Sequence, residues 1–284
     1  MTVRSVLKHP EFESKPHGAA WDIWVKFGCK LAANGALMRT AVLGAPFFWD
    51  EKQVIKQTLQ ATKVTHADPR CCVSSIIVTN LISRLLKGNT QDILPDLDDG
   101  TKEEILRWMQ SGNPDNQGLN IDSEDPPHVI NAYSTDENIA SKRSNLHKYL
   151  MRHNDQSKQK SREIAQIPDN SPPGIDKFGA DPVILKFTRS VVERYKFIAN
   201  SILVGPDELD YLSNFKVDAG EKALLEYCFP ESLEALKLDE SSTIGYVYKC
   251  LGSALYCFTR KLNQQPSESE AFKTIITELI LEAG

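Results

Sequence analysis

"THADPRCCVSSIIVTNLISRL", residues 65–85, decides the fold class. Asp68 is a helix-capping residue, and Pro69 suits the first helical turn, where its missing N–H would have no partner anyway. Val73, Ile76, Ile77, Leu81 and Leu85 then recur in steps of three, four and one, the rhythm of a single helix face. The same punctuation repeats on both sides. Residues 16–27 place Ala20, Ile23, Trp24 and Phe27 on one face. Asp50 with Gln53 resembles a capping box opening a helix through Val54, Ile55, Thr58 and Leu59. Thr101 with Glu104 marks a start before Ile105, Leu106, Trp108 and Met109. Residues 183–204 read as one long helix with Phe187, Val191, Tyr195, Ile198 and Ile202 on its stripe. Ile244, Val247, Tyr248, Leu251, Leu255 and Phe258 mark another, and Ser267 with Glu270 caps the last, which carries Ile275, Ile276, Leu279 and Ile280. No period-two strand pattern competes. The expected class is all-α, a compact multi-helix bundle around one core.

Composition narrows the function classes. The chain has 284 residues, 41% hydrophobic and 25% charged, enough for one large domain or two small ones. A net charge of -5 argues against a general binder of nucleic acid or membrane surfaces. The six cysteines, at 29, 71, 72, 228, 250 and 257, form neither a C-x-x-C motif nor a ladder with histidine. Neither a zinc site nor a disulfide framework is supported, and reduced buried thiols are the simple expectation. The opening residues lack the apolar core of a signal peptide, and no run approaches roughly 18 apolar residues. A soluble, cytoplasmic monomer is expected.

The middle of the chain differs. Residues 111–177 are polar and rich in helix breakers, from "SGNPDNQGLNIDSEDPP" at 111–127 to "IPDNSPPGID" at 167–176. Lys142, Arg143, Lys148, Arg152, Lys158, Lys160 and Arg162 lie between them, with a short helical signal at 146–151. Such a segment has too little apolar surface to offset its ordering entropy. Two readings stand: a solvated, disordered insertion, or a basic arm for an acidic partner. The expected organisation is one helical domain in two parts, 1–110 and 178–284, interrupted by 111–177.

Two breaks in the hydrophobic rhythm carry the chemistry. In "KLAANGALMRTAVLG", residues 30–44, Asn34-Gly35 is turn chemistry, and a glycine lets backbone N–H groups approach a phosphate or hydroxyl. Met38 and Arg39 then offer a soft apolar surface and a permanent cation. Alternatively, Asn34-Gly35 ends the helix bearing Trp24, with Met38 in the core and Arg39 paired at the surface. In "KVTHADPRCC", residues 63–72, His66 precedes a helix N-terminus, and an imidazole there can donate or accept a hydrogen bond. It is also readable as a loop histidine bound to a local carbonyl.

Taken in order, "AANGALMRTAVLG" and then "THADPRC" before an apolar helix resemble the ADP-ribosylglycohydrolase family, that of the dinitrogenase-reductase-activating glycohydrolase and the ADP-ribosyl-protein hydrolases. "HPEF" and "WDIWVKFG" are similar to its fungal-type branch. "GYVYKCLGSALYCFTRKLNQQPSESEAFKTIITELILEAG" is similar to its penultimate region. The resemblance covers about 1–110 and 179–284. It implies an all-α fold, an ADP-ribose pocket beside two magnesium ions, and hydrolysis at the ribose anomeric carbon of an ADP-ribosylated substrate. Carried over position by position, it makes Asn34, Gly35, Met38, Arg39 and His66 ligand contacts, with Asp68 a further candidate. Magnesium needs oxygen ligands, chiefly carboxylates. The family draws them from an early Asp-Asp segment flanked by threonines and a late Gly-Asp-x-Asp segment, and neither is present. The adjacent pair Asp98-Asp99 has the wrong context and reads as an acidic loop before Thr101. The expectation is a chain truncated at both ends or degenerate, carrying pocket loops without metal ligands and inactive as it stands. The alternative is a catalytically dead ADP-ribose-binding or scaffold module.

Overall fold

The computed structural model describes residues 2–88, 94–110, 179–201, 220–260 and 268–283. The segment 111–177 with its helical signal, Ile202 and Ser267 lie outside the described residues. Those described belong to one compact unit drawn from residues 1–116 and 174–284. Among them are ten α-helices: α1 (Thr2–Leu7), α2 (Pro16–Lys26), α3 (Gly35–Thr40), α4 (Glu51–Lys63), α5 (Pro69–Lys87), α6 (Asp99–Gln110), α7 (Pro182–Tyr195), α8 (Gly220–Cys228), α9 (Val247–Thr259) and α10 (Glu268–Ala283). Short 3-10 turns follow α3 and α7. No strand occurs among the described residues, only isolated bridges pairing Ala33 with Tyr246 and Ala180 with Arg260. The all-α expectation holds.

Helix α5 is the axis of the core because it is almost wholly enclosed as far as Ser83, only its last turn exposing Leu85 and Leu86. Cys71, Cys72, Val73, Ile76 and Ile77 are fully buried, as are the small polar residues Ser74, Ser75 and Thr79. Helices α3, α4, α7 and α9 all pack on it. Each buried aliphatic side chain there contributes about 1.5–3 kcal/mol. The α4–α5 contact is pinned from within: Thr58 Oγ1 donates to Thr79 Oγ1 at 3.1 Å, and Thr79 Oγ1 donates onward to its own helix at Ser75 O. At the first residue of α4, Glu51 gathers Arg194 Nε at 2.9 Å, Arg84 at 3.4 Å and the Tyr195 hydroxyl, so one carboxylate joins the ends of α5 and α7 to the start of α4. Helix α9 meets α8 so closely that a Cβ on Gly252 would overlap the Tyr227 carbonyl.

Several boundaries differ from the sequence pattern, each for a local reason. The stretch 183–204 is not one helix: α7 stops at Tyr195 and tightens into a 3-10 turn over Lys196–Asn200. Its stripe still buries Phe187, Val191, Tyr195 and Ile198, because both geometries turn those residues inward. Thr101 is not the cap of α6. Asp98 is, accepting from Thr101 N at 2.9 Å and Thr101 Oγ1 at 2.7 Å. Ile244 precedes α9 and is exposed, as are Ile276 and Ile280 of α10, which seats its other face, Ile275 and Leu279, on Leu233, Leu236 and Tyr256. All six thiols are free, and all but half-buried Cys250 are buried. No helix among the described residues is long and apolar enough to cross a membrane.

Candidate functional site

The two breaks meet. Helix α2 ends at Lys26 with Phe27 as its C-cap, and the left-handed residues there are Gly28 (φ 66°) and Cys29 (φ 58°). Asn34-Gly35 therefore does not terminate the Trp24 helix, and neither residue adopts a positive φ: Asn34 is the N-cap of α3 and Gly35 its first residue. A two-stranded clasp holds this start in place. Val247 N donates to Ala32 O at 2.9 Å and Asn34 N donates to Gly245 O at 2.8 Å, so the N-terminus of α9 lies against that of α3. From the other side comes His66. A Cβ placed on Gly35 would lie 3.7 Å from both Cε1 and Nε2 of the His66 ring. Gly35 thus packs against the His66 ring, where a Cβ would make only ordinary contact, and it serves no left-handed turn.

His66 is 1% exposed, and its Nε2 has no hydrogen-bond partner. Its Nδ1 lies 2.8 Å from Thr65 Oγ1, which also accepts from Arg39 Nη2 at 2.6 Å. Arg39 spends a further Nη2 proton on Thr62 O at 3.0 Å. Arg39 stays exposed at the surface, with that one nitrogen bonded to Thr62 and Thr65 and no ion pair among the described residues. Burial, together with the nearby Arg39 charge, lowers the His66 pKa to about 4. Met38, one position earlier on α3, points outward at 71% exposure, opposite to a core role. The Asn34 side chain is half-buried and caps nothing.

Asp68 is fully buried and fully used. Its Oδ1 accepts from Arg70 N and Arg70 Nε, both at 2.9 Å, and its Oδ2 accepts from Trp24 Nε1 at 2.8 Å and Arg70 Nη2 at 2.7 Å. Four donors fill the roughly four lone-pair sites of a carboxylate. Burial opposes the Arg70 charge, but Asp68 outweighs it and drives the guanidinium pKa upward. Arg70 also reaches Cys29 O at 3.3 Å and lies over the Tyr246 ring, 5.7 Å from its centroid. Tyr246, Tyr227 and Tyr248 form a mutually tilted triad with centroids 5.4–5.9 Å apart. Burial pushes the Tyr246 phenol up to about 12, and the Tyr248 hydroxyl is buried without a partner.

Of the six residues expected from sequence, Asn34, Gly35 and His66 are brought to one place; Met38 and Arg39 are exposed on α3, Arg39 with Nη2 bonded to Thr62 and Thr65, and Asp68 is buried with both oxygens engaged. Sequence reasoning missed Thr65, which links Arg39 to His66, and Tyr246, which the clasp sets beside Asn34. The run "VTHADPR" displays Thr65 plainly, but nothing in spacing reveals its two partners.

These residues do not fit a magnesium ion. The carboxylate nearest His66, that of Asp68, has no lone pair left and is paired with Arg70, and Arg39 adds a second fixed cation. Among the described residues no three His, Cys, Asp or Glu side chains gather as a metal site.

The fold and this junction define an all-α protein in which the starts of α3 and α9 meet and His66 packs on Gly35. The chain belongs to the ADP-ribosylglycohydrolase family, whose model matches residues 1–167, more than half of its length. That range holds both breaks and extends into the polar segment. The stretch expected to resemble the family at 245–284 lies beyond it, and its Tyr246 bridges to Ala33 in the matched part. Comparison with curated proteins gives no match, and neither does comparison with solved structures.

Proposed function

We propose that this chain provides an ADP-ribose-binding wall of the family's glycohydrolase site, with an ADP-ribosylated protein as the source of the ligand. Asn34, Gly35, Met38 and His66 are the contacts, Tyr246 is a fifth, and Arg39 and Asp68 support the wall. The observation that carries this is the buried, partnerless Nε2 of His66 beside the glycine of the family's loop. A polar atom left unpaired in a buried setting costs about 1–3 kcal/mol, a cost a ligand oxygen would remove. Hydrolysis by the chain as it stands is not proposed, because Asp68 has no coordination capacity and the family's reaction requires magnesium held by carboxylates.

Calorimetry with ADP-ribose tests the binding directly, with Gly35→Ala as the informative variant. Alanine is the better helix former, and its Cβ makes only ordinary contact, so the melting temperature is expected not to fall. That same methyl covers His66 Nε2, and affinity is expected to drop about tenfold, the value of one hydrogen bond. A wild-type chain that gives neither heat nor thermal shift overturns the assignment. Magnesium-dependent release of ADP-ribose from a modified protein by this chain alone overturns the statement on hydrolysis.

A further inference from the structure

We propose, resting on the ADP-ribose reading for the ligand's identity alone, that Arg39 and Thr65 are a positioning pair that fixes His66 as its Nε2–H tautomer, so that the ring offers a neutral hydrogen-bond donor to a ligand oxygen beside Gly35.

The direction of each bond follows from counting protons. A guanidinium only donates. Arg39 Nη2 carries two protons, and its two partners, Thr62 O at 3.0 Å and Thr65 Oγ1 at 2.6 Å, take both. Thr65 Oγ1 is therefore an acceptor toward Arg39, and its single hydroxyl proton must go elsewhere. Thr62 O offers no place for it, since that carbonyl already accepts from Arg39 Nη2, His66 N at 3.0 Å and Thr65 N at 3.3 Å. The remaining neighbour is His66 Nδ1 at 2.8 Å. Thr65 donates to Nδ1, so Nδ1 is the unprotonated nitrogen and the ring proton sits on Nε2. The opposite arrangement, Nδ1–H donating to Thr65, would strand the hydroxyl proton of a residue only 6% exposed.

Charge supports the same state. Burial and the neighbouring Arg39 guanidinium disfavour a second proton on the ring, while Asp68 on the other flank favours one and is outweighed. Both charges are themselves held, Arg39 by the Thr62 carbonyl and Asp68 by Arg70 and Trp24. The junction therefore holds a fixed N–H, with the permanent Arg39 cation linked to the ring through Thr65. That combination suits an oxygen acceptor, a hydroxyl or phosphate oxygen of a nucleoside-diphosphate sugar, and rejects an ammonium group or a metal ion.

Long-range proton–nitrogen correlation on the full chain with labelled histidine reads the tautomer without any ligand. The six histidines are distinguished by the signal that His66→Gln removes. At neutral pH the wild type is expected to show a pyridine-type Nδ1 and a pyrrole-type Nε2 at His66. Thr65→Val, close in shape but without the hydroxyl, should move both nitrogens toward intermediate shifts, and Thr65→Ser should restore the separation. A wild-type His66 protonated at Nδ1 or at both nitrogens overturns the proposal. So does a Thr65→Val spectrum that matches wild type. Addition of ADP-ribose should shift Nε2, with affinity about tenfold weaker in Thr65→Val and recovered in Thr65→Ser. A correct tautomer with no response to ADP-ribose defeats the binding reading alone, whereas ADP-ribose binding with the wrong tautomer defeats the positioning pair alone. Should Thr65→Val fail to fold, the wild-type spectrum still decides.

Discussion

His66 makes the stability of the chain depend on acid in a calculable direction. Its pKa falls from the usual 6.5 to about 4 on folding, so between those values the unfolded chain binds the proton and the folded one does not. Stability from this group is complete above pH 6.5, is lost as pH falls toward 4, and changes no further below that. At about 1.4 kcal/mol per unit the whole window amounts to roughly 3 kcal/mol. Urea denaturation of His66→Gln across that window should therefore show a slope flatter than wild type by this amount, and parallel curves would refute the buried neutral ring. At this scale the sequence marked candidate residues but not their partners. Asn34, Gly35 and His66 were legible from their order and spacing. Their meeting was not, because it depends on a clasp between Ala32–Asn34 and Gly245–Val247, more than two hundred residues apart along the chain. The reason for glycine at 35 was also hidden: a pair that usually signals a left-handed turn here begins a helix.

Helix α5 shows why local chemistry predicts some elements better than others. Asp68 caps it through Arg70 N, and Pro69 occupies the first turn as its sequence implies. Asp50 caps α4 through Gln53 N at 3.2 Å in the same way. Both signals are complete within four residues, so tertiary structure has little to override. The end of α7 and the cap of α6 lacked such closure. Helical spacing alone does not distinguish an α-turn from a 3-10 turn when both bury Ile198, and Asp98 outcompetes Thr101 as a cap because its carboxylate reaches two donors at once. The Asp68 cap also serves as the counterion of Arg70, which gives α5 a distinctive response to mutation. Asp68→Asn keeps the shape and an acceptor for the cap but strands a largely buried guanidinium. A loss of about 3–5 kcal/mol is expected, the usual cost of breaking a buried pair from one side. Asp68→Asn combined with Arg70→Met removes the charge as well and should recover a large part of it. Equal destabilisation of single and double variants in chemical denaturation would show that the hydrogen bond to Trp24, not the ion pair, carries the contribution.

On the scale of the whole molecule, the two flanks of residues 111–177 contribute to one core, α3 to α6 from one side and α7 to α9 from the other, joined on α5. A ligand held between the α3 start, His66 and Tyr246 would touch both flanks, so binding should report as global stability and not as local ordering. For a ligand that binds only the folded chain, saturation at a hundred times the dissociation constant adds about 2.7 kcal/mol. A domain of this size turns that into an upward shift of several degrees in melting temperature. The ion dependence of that shift discriminates between roles. If Asp68 is a structural counterion, as its four donors require, no described carboxylate is left at the junction to bind magnesium, and the shift from ADP-ribose should be the same with magnesium as with a chelator. Differential scanning calorimetry under both conditions checks this. A shift that needs magnesium would mean that the Asp68–Arg70 pair opens to admit the ion, at odds with the saturation of its lone pairs. Equal shifts would separate the binding wall of the fold from its hydrolytic chemistry: recognition of the ADP-ribosyl group would belong to this junction and its tuned histidine, and bond cleavage to carboxylates outside it.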